Sequence, residues 1–217
     1  SSDVCSSDLL LLPPDSVTGA GDHTPHWCAS CLRLPLDGID GCHAAVSYGW
    51  PWQACVDGFK FGAQTGWATA LAGVMLRDPL VRQAIRTCDA LVPMPLHPLR
   101  LAERGYNQSL LLAQALRRCT DREEKLDRHQ AVVRHDWLLR IRNTQAQSRL
   151  SLAQRLRNVR QAFAVAANQS SQLHGKRVVL VDDVMTSGAS AQAAAQTLRT
   201  AGVHQLRVVV FARTEKP

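Results

Sequence analysis

The sequence predicts an α/β protein with a central parallel sheet flanked by helices. Three observations carry that expectation. The apolar run Val178 to Val181 leads through a small-residue turn, Thr186 to Ser190, into an Ala-rich helical stretch, Ala191 to Ala201. A second strand–loop–helix unit begins at Asp89. A last apolar run, Val208 to Phe211, reads as a closing strand. Strands that alternate with helices in this way form a parallel sheet, with ligands expected at the C-terminal ends of its strands.

The chain has 217 residues, 46% of them hydrophobic, enough for one sizeable core. No apolar run approaches the length of a membrane-spanning helix. The formal net charge is +7, and Arg outnumbers Lys by 21 to 4. A basic surface suits phosphate-rich small molecules or nucleic acid, and charge alone does not separate the two.

Taken from the start, Ser1 to Leu9 resembles translated adapter sequence, and residues 1–27 read as a non-native or polar leader and linker rich in Pro, Gly, Ser and Asp. Cys28-Ala29-Ser30-Cys31 has the spacing of half a zinc site, because two thiolates so placed grip one metal and two further ligands complete a tetrahedron. The other reading is two thiols in a reducing cytoplasm. Residues 28–47 are read as the remnant of a cysteine zinc ribbon, and 48–217 as the main domain. Ala44 to Tyr48 reads as a weak strand. Lys60, between Phe59 and Phe61, reads either as a phosphate contact or as a lysine whose stem covers apolar surface. Thr65 to Leu76 has helical spacing, with Trp67, Leu71, Val74 and Met75 facing inward.

Asp89 to Val92 is the next strand. The loop after it carries Pro93, Pro95, Arg100, Glu103, Arg104, Gly105 and Asn107, and a helix follows over Ser109 to Arg118. Prolines hold such a loop extended. A guanidinium at a strand's C-terminal end suits pyrophosphate, which it binds bidentately. Pairing of Arg104 with Glu103 is the alternative. Leu139 to Gln147 is a basic, polar stretch before a helical pattern, Leu150 to Phe163. It reads as a flap over an anionic ligand or as a solvated face.

The stretch Arg177 to Ser190 then joins an apolar strand, two carboxylates and a hydroxylated turn. Free N–H groups of the turn and the helix start favour an anion. Gly188 lets backbone approach closely, while Thr186, Ser187 and Ser190 add hydroxyl donors. Asp182 and Asp183 beside a phosphate cradle make sense if the ligand also bears hydroxyls. A ribose phosphate satisfies both ends.

This stretch resembles the motif of type I phosphoribosyltransferases that binds phosphoribosyl pyrophosphate (PRPP). VPMPL, RGYNQ, the R-x-R-N-T-x-x-Q stretch from Arg140 to Gln147, and VVLVDDVMTSGAS occur in one order. Together they resemble the competence protein F (ComF) family, from about Cys28 to Arg213. The resemblance implies a type I phosphoribosyltransferase fold with a small hood, preceded by a zinc ribbon whose last pair Cys28 and Cys31 resemble. It implies that Asp182 and Asp183 hold the ribose hydroxyls. Thr186, Ser187, Gly188, Ala189 and Ser190 would hold the phosphate, and Arg100, Arg104 and Asn107 would face pyrophosphate. Mg²⁺ would be shared between PRPP oxygens and waters, with Asp182, Asp183 and Arg104 closest to the chemistry. Two functions follow from it. One is transfer of phosphoribosyl to a nitrogen acceptor with pyrophosphate release. The other is a non-catalytic PRPP-sensing or DNA-handling role in natural transformation, with single-stranded DNA or competence proteins as partners. Both place the protein in the cytoplasm.

Overall fold

The structure is a computed structural model, and it describes residues 37–123, 131–143 and 161–214. Five strands form one sheet: β1 (Gly41–Ser47), β2 (Ala90–Pro93), β3 (Val132–Val133), β6 (Arg177–Met185) and β7 (Gln205–Arg213). Their spatial order is β1-β7-β6-β2-β3, and every pairing is parallel. Two further strands, β4 (Leu138–Arg140) and β5 (Phe163–Val165), make a separate antiparallel pair, and a short helix, α6 (Ser170–Leu173), follows them.

The composition of the strands follows from their place. β2 is buried throughout, and so are Val178 to Val181 of β6, because helices cover both sheet faces. Alternate residues of β6 feed two cores. Val179 and Val181 pack with α2 (Trp67–Met75), α3 (Pro79–Thr87) and α5 (Gln108–Glu123) through Leu71, Met75, Ile85 and Leu112. Val178 and Leu180 pack on the opposite face with Leu138, Phe163 and the Ala-rich side of α7 (Ala189–Thr200). Each fully buried Leu or Val contributes roughly 1.5–3 kcal/mol.

The helix boundaries are set by local chemistry. Asp78 caps α3, its carboxylate accepting from Leu80 N–H at 2.8 Å, and Pro79 follows at the first helical position. α4 (Pro98–Arg104) is built the same way, with His97 as cap, and stops at Gly105, whose φ of 81° belongs to the left-handed region. α1 (Trp52–Phe61) is pinned by Phe59, fully buried, and by Trp52, whose ring meets Phe211 edge-on at 5.6 Å.

The expected parallel sheet with flanking helices is therefore present, with four differences of detail. β1 starts at Gly41 and pairs along β7, so residues 41–47 belong to the sheet and not to a separate cysteine-bearing segment. β6 runs on to Met185, so Asp182 and Asp183 lie within the strand, Asp182 opposite Val210 of β7. Trp67 is 37% exposed, because at the first position of α2 its indole N–H donates to Gln64 Oε1 at 2.7 Å and the ring is not drawn fully into the core. Leu138 to Arg140 is a strand, where the sequence reads as a loop from Leu139 onward. Cys28 and Cys31, and Thr144 to Gln147 of the expected flap, lie outside the described residues. Among the described residues no helix is long and apolar enough to cross a membrane.

Candidate functional site

The strand order places a crevice where the chain changes direction. From β2 the chain moves outward to β3 through α5, on one face. From β6 it moves the other way to β7 through α7, on the opposite face. Loops therefore part at the C-terminal ends of β2 and β6, the position at which open parallel sheets bind ligands. The loop from Met94 to Asn107 forms one wall, and the turn from Thr186 to Ser190 forms the other.

The β6 wall carries the two carboxylates. Asp182 Oδ1 accepts from Ser109 Oγ at 2.9 Å and from Asp183 N–H at 2.9 Å. Asp183 Oδ1 accepts from Val184 N–H at 2.7 Å, and its Oδ2 lies 3.2 Å from Lys60 Nζ. Burial and the adjacent Asp183 push the carboxyl of Asp182 up to about 7, against the opposing pull of Lys60 and Ser109. A carboxylate pair inside an apolar strand is costly to hold in its charged form. Tyr48 donates to Asp57 at 3.4 Å beside this cluster, and its phenol is raised by burial and by Asp57 and Asp183.

Beyond the carboxylates the chain turns from β6 into α7. Gly188 has φ 76°, a left-handed value that opens the turn and starts α7 at the next residue. Thr186 is exposed, Ser187 and Ser190 are half-buried, and Ala189 is buried at the helix start. The Ser187 hydroxyl is 3.5 Å from Ala189 N. A helix of twelve residues thus presents its N-terminus next to three hydroxyls.

The β2 wall is more mixed. Arg104 donates to Gln108 Oε1 at 2.5 Å, and its guanidinium lies 5.2 Å from the Phe61 ring centre. It pairs with neither Glu103 nor the carboxylates in this state. Asn107, expected to donate to ligand, instead holds the loop. Its Oδ1 caps α5 by accepting from Ser109 N–H at 2.9 Å and Leu110 N–H at 3.2 Å, and its Nδ2 donates to Met94 O at 3.1 Å. Asn107→Ala should then cost about 1 kcal/mol or more of stability, readable by urea denaturation, because it removes the cap and the loop anchor together. Arg100 is half-buried on α4.

Three site residues come from elsewhere in the chain. Lys60 arrives from the last turn of α1, Ser109 from the first turn of α5, and Arg140 from β4. Arg140 stacks 5.6 Å from the Phe163 ring centre. Burial and nearby Arg100 lower its pKa, while Asp182 pulls the other way, so its charge shares one field with both walls. The Asn just before a helix is a sequence signal for the role of Asn107. No comparable local signal marks Ser109 or Arg140. Arg142 is exposed and bonds Gln161 at 3.1 Å.

Comparison with known proteins agrees with this architecture. Residues 125–217 match the phosphoribosyl transferase domain family. The chain is 31% identical to competence protein F of Haemophilus influenzae over 189 residues, 86% of this chain and 78% of that protein. It is 29% identical to the DNA utilization protein YhgH of Escherichia coli K12, across 97% of this chain and 89% of that one. It is 34% identical to competence protein ComFC of Bacillus subtilis over 112 residues, 52% of this chain and 39% of that one. With a five-stranded parallel sheet of the type I phosphoribosyltransferase kind and this match along most of its length, the chain belongs to the competence protein F family.

Proposed function

We propose that this protein binds PRPP with Mg²⁺ in the crevice between β2 and β6 and transfers phosphoribosyl to a nitrogen acceptor, releasing pyrophosphate. The observation that supports it most is the adjacency of two anchored carboxylates and a helix-start cradle on one strand–turn–helix unit. In this reading Asp182 and Asp183 accept from the ribose hydroxyls. The N–H groups and hydroxyls from Thr186 to Ser190 take the phosphate. Arg100 and Arg104 meet the pyrophosphate end, with Arg104 leaving Gln108 and Phe61 to do so.

Mg²⁺ fits as a companion of the donor. Asp182 Oδ1 and both oxygens of Asp183 already face Ser109, backbone N–H or Lys60, so PRPP oxygens and water would hold the ion. When bound, it neutralises charge on the leaving pyrophosphate. The chain's own residues orient the ribose and offset the remaining charge as the anomeric C–O bond to pyrophosphate breaks and a C–N bond forms. The acceptor's proton leaves to solvent or to pyrophosphate, and no side chain is assigned to it.

The names of the relatives connect them with competence and DNA utilization, and we propose a related role for this protein, in the cytoplasm. Those names also favour a second reading, in which the pocket senses PRPP and the basic protein handles DNA without turnover. Incubation with PRPP, Mg²⁺ and a panel of nucleobases and amines separates the two. Pyrophosphate release with one acceptor supports transfer. PRPP binding without release, alongside salt-sensitive binding of single-stranded DNA, supports the accessory role.

A further inference from the structure

Lys60 is placed where the fold has no need of a cation except at the carboxylates. It lies in the last turn of α1, between fully buried Phe59 and the 74% exposed Phe61. Its side chain is 20% exposed, while that of Asp183 is 3% exposed. The ammonium therefore reaches inward to a carboxylate oxygen that is closed to water. Among the described residues Asp183 Oδ2 has no hydrogen-bond donor, and the Lys60 ammonium at 3.2 Å is the cation beside it.

The surroundings sharpen the point. The groups facing the pair are Lys60 and Asp57 on α1, Tyr48 after β1, Ser109 on α5, and Arg140 on β4 with Arg100 beyond it. Asp57 and Tyr48 add negative or neutral character. Arg140 acts on Asp182 through its field, from the opposite core. On the side of Asp183 the positive charge comes from Lys60. Two adjacent carboxylates in a buried strand repel one another, and without a nearby cation one of them takes up a proton. A protonated carboxyl donates a hydrogen bond where a ribose hydroxyl needs an acceptor.

We infer that Lys60 is a positioning residue of the donor site, whose ammonium favours the ionised form of the Asp182 carboxyl and holds the acid pair oriented to accept from ribose hydroxyls. This rests on the PRPP reading for the identity of the ligand, but not for the coupling between Lys60 and the carboxylates.

The test is a pH series of PRPP·Mg²⁺ titrations on the full chain, native and with Lys60→Met or Lys60→Arg. In Lys60→Met the acid-side midpoint of binding should rise by about one pH unit, giving a loss of roughly five-fold near neutral pH that approaches ten-fold below about pH 6 and recovers in alkali. Lys60→Arg should keep the native midpoint. An unmoved midpoint in Lys60→Met, a loss equal at all pH values, or an equal rise in Lys60→Arg would overturn the inference. Should Lys60→Met fail to fold, Lys60→Gln removes the charge while keeping a polar end and takes its place. A second readout, the titration of the Asp182 carboxyl carbon by NMR, is made on the ligand-free protein. It should move upward in the neutral variant, and no movement would again overturn the role of Lys60. If the native chain binds no PRPP at any pH, the donor reading fails while this second readout still decides Lys60.

Discussion

Asp182→Asn is expected to lower affinity for PRPP by about ten- to a hundred-fold, as loss of a charge-assisted hydrogen bond does. The same change should leave the fold as stable as the native chain, or more stable, above about pH 7. The two effects have one cause. Burial beside Asp183 raises the carboxyl of Asp182 to about 7, so the folded chain holds its proton more tightly than the unfolded chain. Native stability therefore loses a contribution as pH rises from about 4 to about 7, and the loss is complete above that range. Asn carries no such penalty, and its carbonyl oxygen can still accept from Ser109 Oγ and Asp183 N–H. The gain in alkali is on the order of 1–4 kcal/mol, the upper end being the full linkage of that shift. Parallel calorimetric titration and thermal unfolding at about pH 5 and about pH 8 check both halves. A variant that unfolds more easily at the higher pH while binding PRPP normally would remove Asp182 from the site.

Phe59→Ala should destabilise the fold by about 3–5 kcal/mol, the range for deleting a fully buried aromatic ring. Phe59 is completely buried in the core that α1, α2 and α5 share. Its ring lies 6.5 Å from that of Tyr106, and its carbonyl accepts from the Tyr106 hydroxyl. The residue thus ties α1 to the loop that bears Arg104. It also precedes Lys60, so losing the ring should loosen the ion pair with Asp183 and weaken PRPP binding even where the variant is still folded. Urea denaturation gives the stability and titration below the transition gives the affinity. A loss under about 1 kcal/mol would mean that the site-side end of α1 is held by other contacts.

The strand, the turn and the helix start around the acid pair are legible in the sequence because they lie on one contiguous unit. An apolar run, two acids and a small hydroxylated turn each have a local signature, and a single strand–turn–helix satisfies all of them. The groups that control those carboxylates were not legible. Ser109 is 73 positions from Asp182 and is brought to it by the packing of α5 on the sheet. Lys60 stood between two aromatic residues, and only the structure shows that one is core and the other exposed. The strand end was placed too early because charge inside a strand is costly, yet β7 pairs with β6 as far as Met185. Other omissions were readable by local rules. Asp78-Pro79 and His97-Pro98 both announce helix starts, and α3 and α4 begin there. Asn107 sits just before a helix, where its side chain caps more readily than it binds ligand.

The most direct measurement of the central claim is calorimetric titration of PRPP with Mg²⁺ into the native chain, beside the Asp182→Asn/Asp183→Asn double variant. Micromolar binding by the native chain, lost in a double variant that remains folded, is the predicted result. A folded native chain that takes up no PRPP, or a double variant that binds it equally well, would contradict the account.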